Sequence, residues 1–155
     1  MLILTLAFFI GVIAGLRALT APTIASWAAK LGFLPLAGTW LAWMGFQWTP
    51  WIFTVLAIGE LINDKLPATP SRKVPPQFAA RVVMGALAGA VVTTPHGGSV
   101  EGLVLGAIGA VAGTLGGAEL RGRLAKAIGG KDLPIALLED CIAILGGILI
   151  MRQFA

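Results

Sequence analysis

Apolar and polar positions along this chain fall in long blocks, not in the short period of an amphipathic helix or strand. Leu2 to Thr20 is almost wholly apolar and continues past Pro22 towards Ala29. Pro50 to Leu66, Gln77 to Thr94, Ser99 to Leu120 and Leu133 to Met151 repeat the pattern. Each run approaches the roughly 20 apolar residues that cross a bilayer core of about 30 Å. Inside hydrocarbon, backbone N–H and C=O groups must be paired within a helix or around a closed barrel. Barrel strands would be short and alternating, whereas these runs are unbroken Ala, Leu, Val, Ile and Gly. The pattern therefore predicts an all-α, polytopic membrane bundle of about five transmembrane helices, one domain over 1–155, with Pro22 marking a kink or break.

One stretch departs from the pattern. Leu31 to Trp48 is punctuated by Pro35, Gly38 and Gly45 and carries Trp40, Trp43 and Trp48; Trp27 and Trp51 flank it. Trp favours the headgroup level, where its ring is buried and its N–H is wet. This stretch reads as a Trp-rich interfacial or re-entrant half-helix, with a full extra span as the alternative.

Composition agrees with a lipid solvent: 57% of residues are hydrophobic and 12% charged, about half the charge of a typical soluble domain. The net charge of +4 does not call for nucleic acid, because the cations gather at the ends of apolar runs. Lys65, Arg72 and Lys73 follow the second run; Arg121, Arg123, Lys126 and Lys131 follow the fourth; the turn Pro95-His96-Gly97-Gly98 has no Lys or Arg. The positive-inside rule places the two basic loops in the cytoplasm. With five spans, the N-terminus is then inside and the C-terminus outside. The first run has no preceding Lys or Arg and is interrupted by Arg17, which reads as a retained helix and not a cleaved signal. With one His and one Cys, neither a Cys/His metal cluster nor an internal disulfide is expected. His96 reads as a loop residue and Cys141 as a small buried hydrophobe; the sequence leaves the cofactor unknown.

Glycines recur at spacing four: Gly85 with Gly89, Gly102 with Gly106, Gly109 with Gly113, and Gly113 with Gly117. Small residues at that spacing let helix backbones approach closely in lipid; packing within the chain is the first expectation, a dimer seam the second. The small size still favours a homo-oligomer. A faint similarity between Gly11–Gly32 and Ala107–Gly129, each followed by a helix with a Glu, suggests an inverted repeat of the kind found in transporters.

Ionisable groups within apolar spans are costly, roughly 2.5 to 3.5 kcal/mol each on insertion scales, and ordinarily meet a partner inside the bundle. Glu60 and Asp64, four apart on one helix face, repel each other unless a cation, proton or ligand intervenes. Counting residues from the basic ends places Glu60, Asp64, Arg81 and the Glu139-Asp140 pair in one depth band, roughly 8 to 10 Å in for the deeper groups. Arg17, towards the other end of the first span, matches Glu101 as an outer pair. These six — Glu60, Asp64, Arg81, Glu139, Arg17 and Glu101 — form the candidate site for a small solute or ion. The competing reading makes them structural ion pairs.

The run Gly59-Glu60-Leu61-Ile62-Asn63-Asp64-Lys65-Leu66-Pro67, with Ala14-Gly15-Leu16-Arg17 before it, resembles a family of small bacterial inner-membrane proteins catalogued as a domain of unknown function, with the motif Glu-x-x-x-Asp-Lys-x-Pro. The resemblance implies that Arg17, Glu60, Asp64, Lys65 and Pro67 occupy the family's motif positions, and it carries no activity. The expected function is a small transporter or channel of the inner membrane. The alternatives are a non-catalytic assembly or accessory protein, and a lipid-active intramembrane enzyme. The enzyme is disfavoured by the lack of a Ser/His pair and of a phosphate-cradling Gly loop.

Overall fold

A computed structural model describes residues 1–66 and 71–155, so Pro67 and Pro70 of the linker lie outside the described residues. The described residues form six α-helices and no strand: α1 (Leu2–Leu16), α2 (Thr20–Lys30), α3 (Thr49–Asn63), α4 (Pro75–Thr93), α5 (Ser99–Ala127) and α6 (Leu133–Met151). The α3, α4 and α6 boundaries follow the Pro residues at their first or second positions, where a missing N–H costs nothing. Among the described residues, three segments are long and apolar enough to cross a membrane: Pro75–His96, Ser99–Ala127 and Leu133–Phe154. At 15 residues each, α1 and α3 reach about 22 Å, short of the hydrocarbon thickness.

The first apolar run is two helices, and the break falls at Arg17, not at Pro22. Arg17 adopts an extended conformation (φ −140°, ψ 108°), while Pro22 sits in the first turn of α2, where its missing N–H has no intrahelical partner to lose. Beyond the break the chain turns back. Thr23 Oγ1 donates to Phe53 O and Trp27 Nε1 to Thr54 Oγ1, with Leu19 beside Glu60, so α2 and α3 form an antiparallel pair. The predicted half-helix is absent: residues 31–48 form turns with a single 3₁₀ turn, Ala42–Gly45. Leu34, Leu36, Leu41 and Met44 are buried against α2, and Ser26 Oγ donates to Met44 O.

Glycine sets the core. A side chain at Gly106 would collide with the backbone of α4 at Gly85, and one at Gly11 with the carbonyl of Gly106, so three backbones meet at one point. Gly109 and Gly113 press likewise on Phe8 and Val12, so α1 and α5 run parallel, whereas Gly89 against Gly102 makes α4 antiparallel to α5. The spacing-four glycines thus serve packing within the chain. Apolar side chains point outward instead: Val55 on α3, Val104 on α5, and Leu145 and Leu149 on α6 are all more than half exposed. Cys141, expected to be buried, is exposed on α6.

Two expectations change. With α1 parallel to α5, Met1 lies at the end of the bundle that holds the turn after α4, opposite the basic segments; the chain folds back once more than five spans allow. The proposed repeat also dissolves, because Gly11–Gly32 contains a helix break where Ala107–Ala127 is one continuous helix, and the two run parallel where they overlap.

Candidate functional site

At the basic end, four helix ends converge on Arg17, which is completely buried. The extended backbone at Arg17 ends α1 and sends its guanidinium among three carboxylates. Nη1 lies 2.5 Å from Asp64 Oδ2, Nε 2.6 Å from Asp140 Oδ1, and Nη2 3.3 Å from Glu139 Oε2. The last is an ion pair without a hydrogen bond, so Nη2 is left unsatisfied. The carboxylates come from α6 and from the residue that closes α3, so one side chain ties three parts of the chain together.

Each acid has further partners. Lys65 Nζ donates to Asp140 Oδ2 at 2.5 Å and to Leu61 O at 2.8 Å. Arg72 grips Glu139 with two parallel bonds of 2.6 and 2.8 Å, the fork geometry that makes such pairs strong. Arg121 Nη1 lies 3.3 Å from Glu139 Oε2, while its Nε and Nη2 chelate Asp132 at 2.8 and 2.5 Å. Arg81, buried on α4, donates to the carbonyls of Leu16 and Gly15 at 2.7 and 3.2 Å, the acceptors freed by the end of α1. Its Nη2 lies 3.5 Å from Asp64 and 3.7 Å from Glu60.

Glu60 plays a different part. Its two oxygens accept the backbone N–H groups of Ala18 and Leu19 at 2.7 and 2.8 Å, so a carboxylate on α3 caps the start of α2. A negative charge there also suits the positive end of the helix dipole.

Five cations (Arg17, Lys65, Arg72, Arg81, Arg121) thus meet five acids (Glu60, Asp64, Asp132, Glu139, Asp140). The network is electroneutral when every group is charged, which is how it persists beside hydrocarbon. Outside the spans, Asp132 has its carboxyl held below the ordinary value by the Arg121 hydrogen bonds.

Glu60, Asp64, Arg81 and Glu139 are brought together as the depth count implied. Arg17 joins them instead of pairing with Glu101. The expected outer pair is wrong because α1 runs towards the basic end: Arg17 lies level with the far half of α5, where Gly15 packs against Ala110 and Gly113. Glu101 is exposed in the first turn of α5, at the opposite end. Beyond the six expected residues the network takes in Asp140, which the depth count had placed beside Glu139, and Lys65, Arg72, Arg121 and Asp132. Charge balance was the signal for the cations, since Glu60, Asp64, Glu139 and Asp140 demand more than Arg17 and Arg81; it gave none for Asp132.

A pocket of about 650 Å³ opens on this network, lined by Asp64, Lys65, Ser71, Arg72, Arg81, Arg121 and Asp132, with Ala118, Leu133 and Ala136 among its apolar residues. A smaller one, about 290 Å³, lies beside Glu60 and is lined also by Ala18, Asn63, Gln77 and Met84.

Comparison with protein-family models, curated proteins and solved structures finds no match to this chain. Arg17, Asp64 and Lys65 lie in one ion-pair network, and Glu60 caps the turn that begins at Arg17.

Proposed function

We propose that this chain is a small transport protein of the bacterial inner membrane, a carrier or channel for a small solute or ion, and belongs with the small inner-membrane proteins that share the Glu-x-x-x-Asp-Lys-x-Pro motif. The observation that carries the reading is the 650 Å³ pocket walled by Lys65, Arg72, Arg81 and Arg121 at the end of an apolar bundle. A polar cavity of this size falls within the range of small-molecule sites, about 300–1,000 Å³. Costly charges at membrane depth commonly mark solute pathways.

The role of the acids differs from the sequence expectation. Glu139 is gripped by Arg72 and Arg121, and Glu60 by two backbone N–H groups, so the carboxylates orient the cations and the cations face the solute. Placing the basic end in the cytoplasm puts the pocket there and both termini on the other side. Helices α4, α5 and α6 span, and α1 and the α2–α3 pair complete the bundle. Because the glycine seams are used within the chain, a homo-oligomer would meet through the apolar faces of α3, α5 or α6.

Flux into proteoliposomes tests the proposal, with the native protein compared against Arg72→Gln, Glu60→Gln and Glu139→Gln over a panel of labelled small ions and solutes. At least a tenfold loss in Arg72→Gln for one solute supports it. Equal flux in all four proteins, or none above empty liposomes, rejects it. The accessory reading has one observation in its favour, the saturation of Glu60 and Glu139 by partners within the chain, and absence of flux would select it.

A further inference from the structure

The ten charges of the network are not mixed evenly. Glu139, Asp140 and Glu60 do not line the large pocket, whereas four of the five cations do, Arg17 alone being enclosed. Only two acids reach the pocket wall, and both are committed. Asp64 is held by Arg17 and approached by Arg81, and Asp132 is chelated by Arg121. The acids therefore hold the cations from behind: the network as a whole is neutral, but the pocket wall presents four cations and two acids. The geometry points to a phosphate-bearing ligand in this pocket, a deepening that rests on the site of the transport reading.

Charge and shape select phosphate over the alternatives. A phosphate monoester carries about −1.5 to −2 at neutral pH and offers three acceptor oxygens, enough to meet several of the four wall cations at once; a monocarboxylate offers two oxygens and one charge. The fork of Arg72 is turned on Glu139, and the three nitrogens of Arg121 bond Asp132 and Glu139, so each guanidinium meets an oxyanion with its charge and its remaining N–H groups. Arg72 spends two of its five N–H groups on Glu139, and Lys65 adds a point charge. The volume exceeds what the phosphate alone needs, so the site takes a group attached to it, against Leu133 and Ala136. The pocket's position is consistent with this: its walls come from the end of α3, the residues before α4, the basic extension of α5 and the start of α6. That is the level at which a lipid headgroup or a soluble phosphate ester arrives.

Binding to the purified full-length protein in neutral detergent tests this, with three probes: dihexanoyl phosphatidic acid, glycerol 3-phosphate and dihexanoyl phosphatidylcholine. Saturable binding of a phosphate monoester, weakened at least tenfold by Arg72→Gln and by Arg121→Gln, is the expected result. Lys126→Gln and Lys131→Gln, cations at the same end but outside the pocket, should shift affinity less than twofold. Binding of phosphatidic acid alone identifies a lipid headgroup; equal binding of glycerol 3-phosphate identifies a soluble ester. No saturable binding of either monoester, equal binding of phosphatidylcholine, or equal loss in the Lys126 and Lys131 variants overturns the inference. Glu139 keeps Arg17 and Arg121 when Arg72 is removed, and unchanged melting of each variant confirms that it is folded. Arg72→Lys, keeping the charge without the fork, should bind between native and Arg72→Gln. Binding without flux removes the transport reading and leaves the pocket's ligand class intact; flux without phosphate binding does the reverse.

Discussion

Arg17 Nε donates to Asp140 Oδ1 at 2.6 Å across 123 residues of chain. That bond, the one to Asp64 and the ion pair with Glu139 are made from the extended backbone at which α1 stops. Replacing Arg17 with Met should strand Asp64 and Asp140 as buried, under-compensated charges. Breaking such a network costs about 3–5 kcal/mol, read as a large fall in unfolding free energy in detergent or bicelles. Arg17→Met combined with Asp140→Asn should recover part of the loss. A single variant as stable as the native protein would show that Arg17 is not the hub.

The cap supplied by Glu60 predicts a local effect. Glu60→Gln keeps one carbonyl oxygen but offers an NH₂ where an acceptor is needed, leaving Ala18 or Leu19 with an unsatisfied N–H at a cost of about 1–3 kcal/mol. Amide hydrogen exchange at Ala18 and Leu19 should accelerate while the α5 amides near Gly106 stay protected. Unchanged exchange at both positions refutes the cap.

These two residues also show what the sequence could and could not reveal. The apolar runs marked the later helices well, and α6 begins and ends at the predicted residues because Pro134 and Arg152 punctuate it. Depth counted from helix ends placed Glu60, Asp64, Arg81 and Glu139 together correctly, since rise per residue is fixed. The break at Arg17 was hidden. Its residue is an ordinary helix former, and only carboxylates from distant segments pull it out of the helix. Missing that break reversed α1 and sent Arg17 to Glu101. Arg72 was invisible for a related reason: it lies in a Pro-rich linker, and nothing local says that its side chain meets Glu139.

Glycine substitutions separate packing from helix propensity. At Gly106 an added methyl meets the backbone of α4, which cannot give way as a side chain would. Gly106→Ala should destabilise by about 1–3 kcal/mol through overpacking. Nothing lies within 4 Å of a methyl placed at Gly116 or Gly122 on the same helix. Ala there should be neutral or stabilising by about 0.5–1 kcal/mol. Thermal unfolding of the three variants in one detergent checks both signs, and equal losses would mean that the α1–α4–α5 junction is looser than described.

The rim of the site titrates in acid. The hydrogen bonds from Arg121 depress the Asp132 carboxyl below its ordinary 3.8 in the folded chain. The sign follows: the unfolded carboxyl, near a pKa of about 3.9, takes up its proton first as pH falls, so the pair stabilises the fold fully above that value. The stabilisation fades as pH drops through the lower folded value. Native protein and Asp132→Asn should therefore differ most in melting temperature near neutrality and converge below about pH 4. Because the Asp132 side chain is 57% exposed, added salt should shrink the difference. The contact of Arg121 with Glu139, whose side chain is only 8% exposed, should resist that screening. Parallel curves from pH 7 to 3, with no convergence, would show that Asp132 contributes through something other than its charge on Arg121.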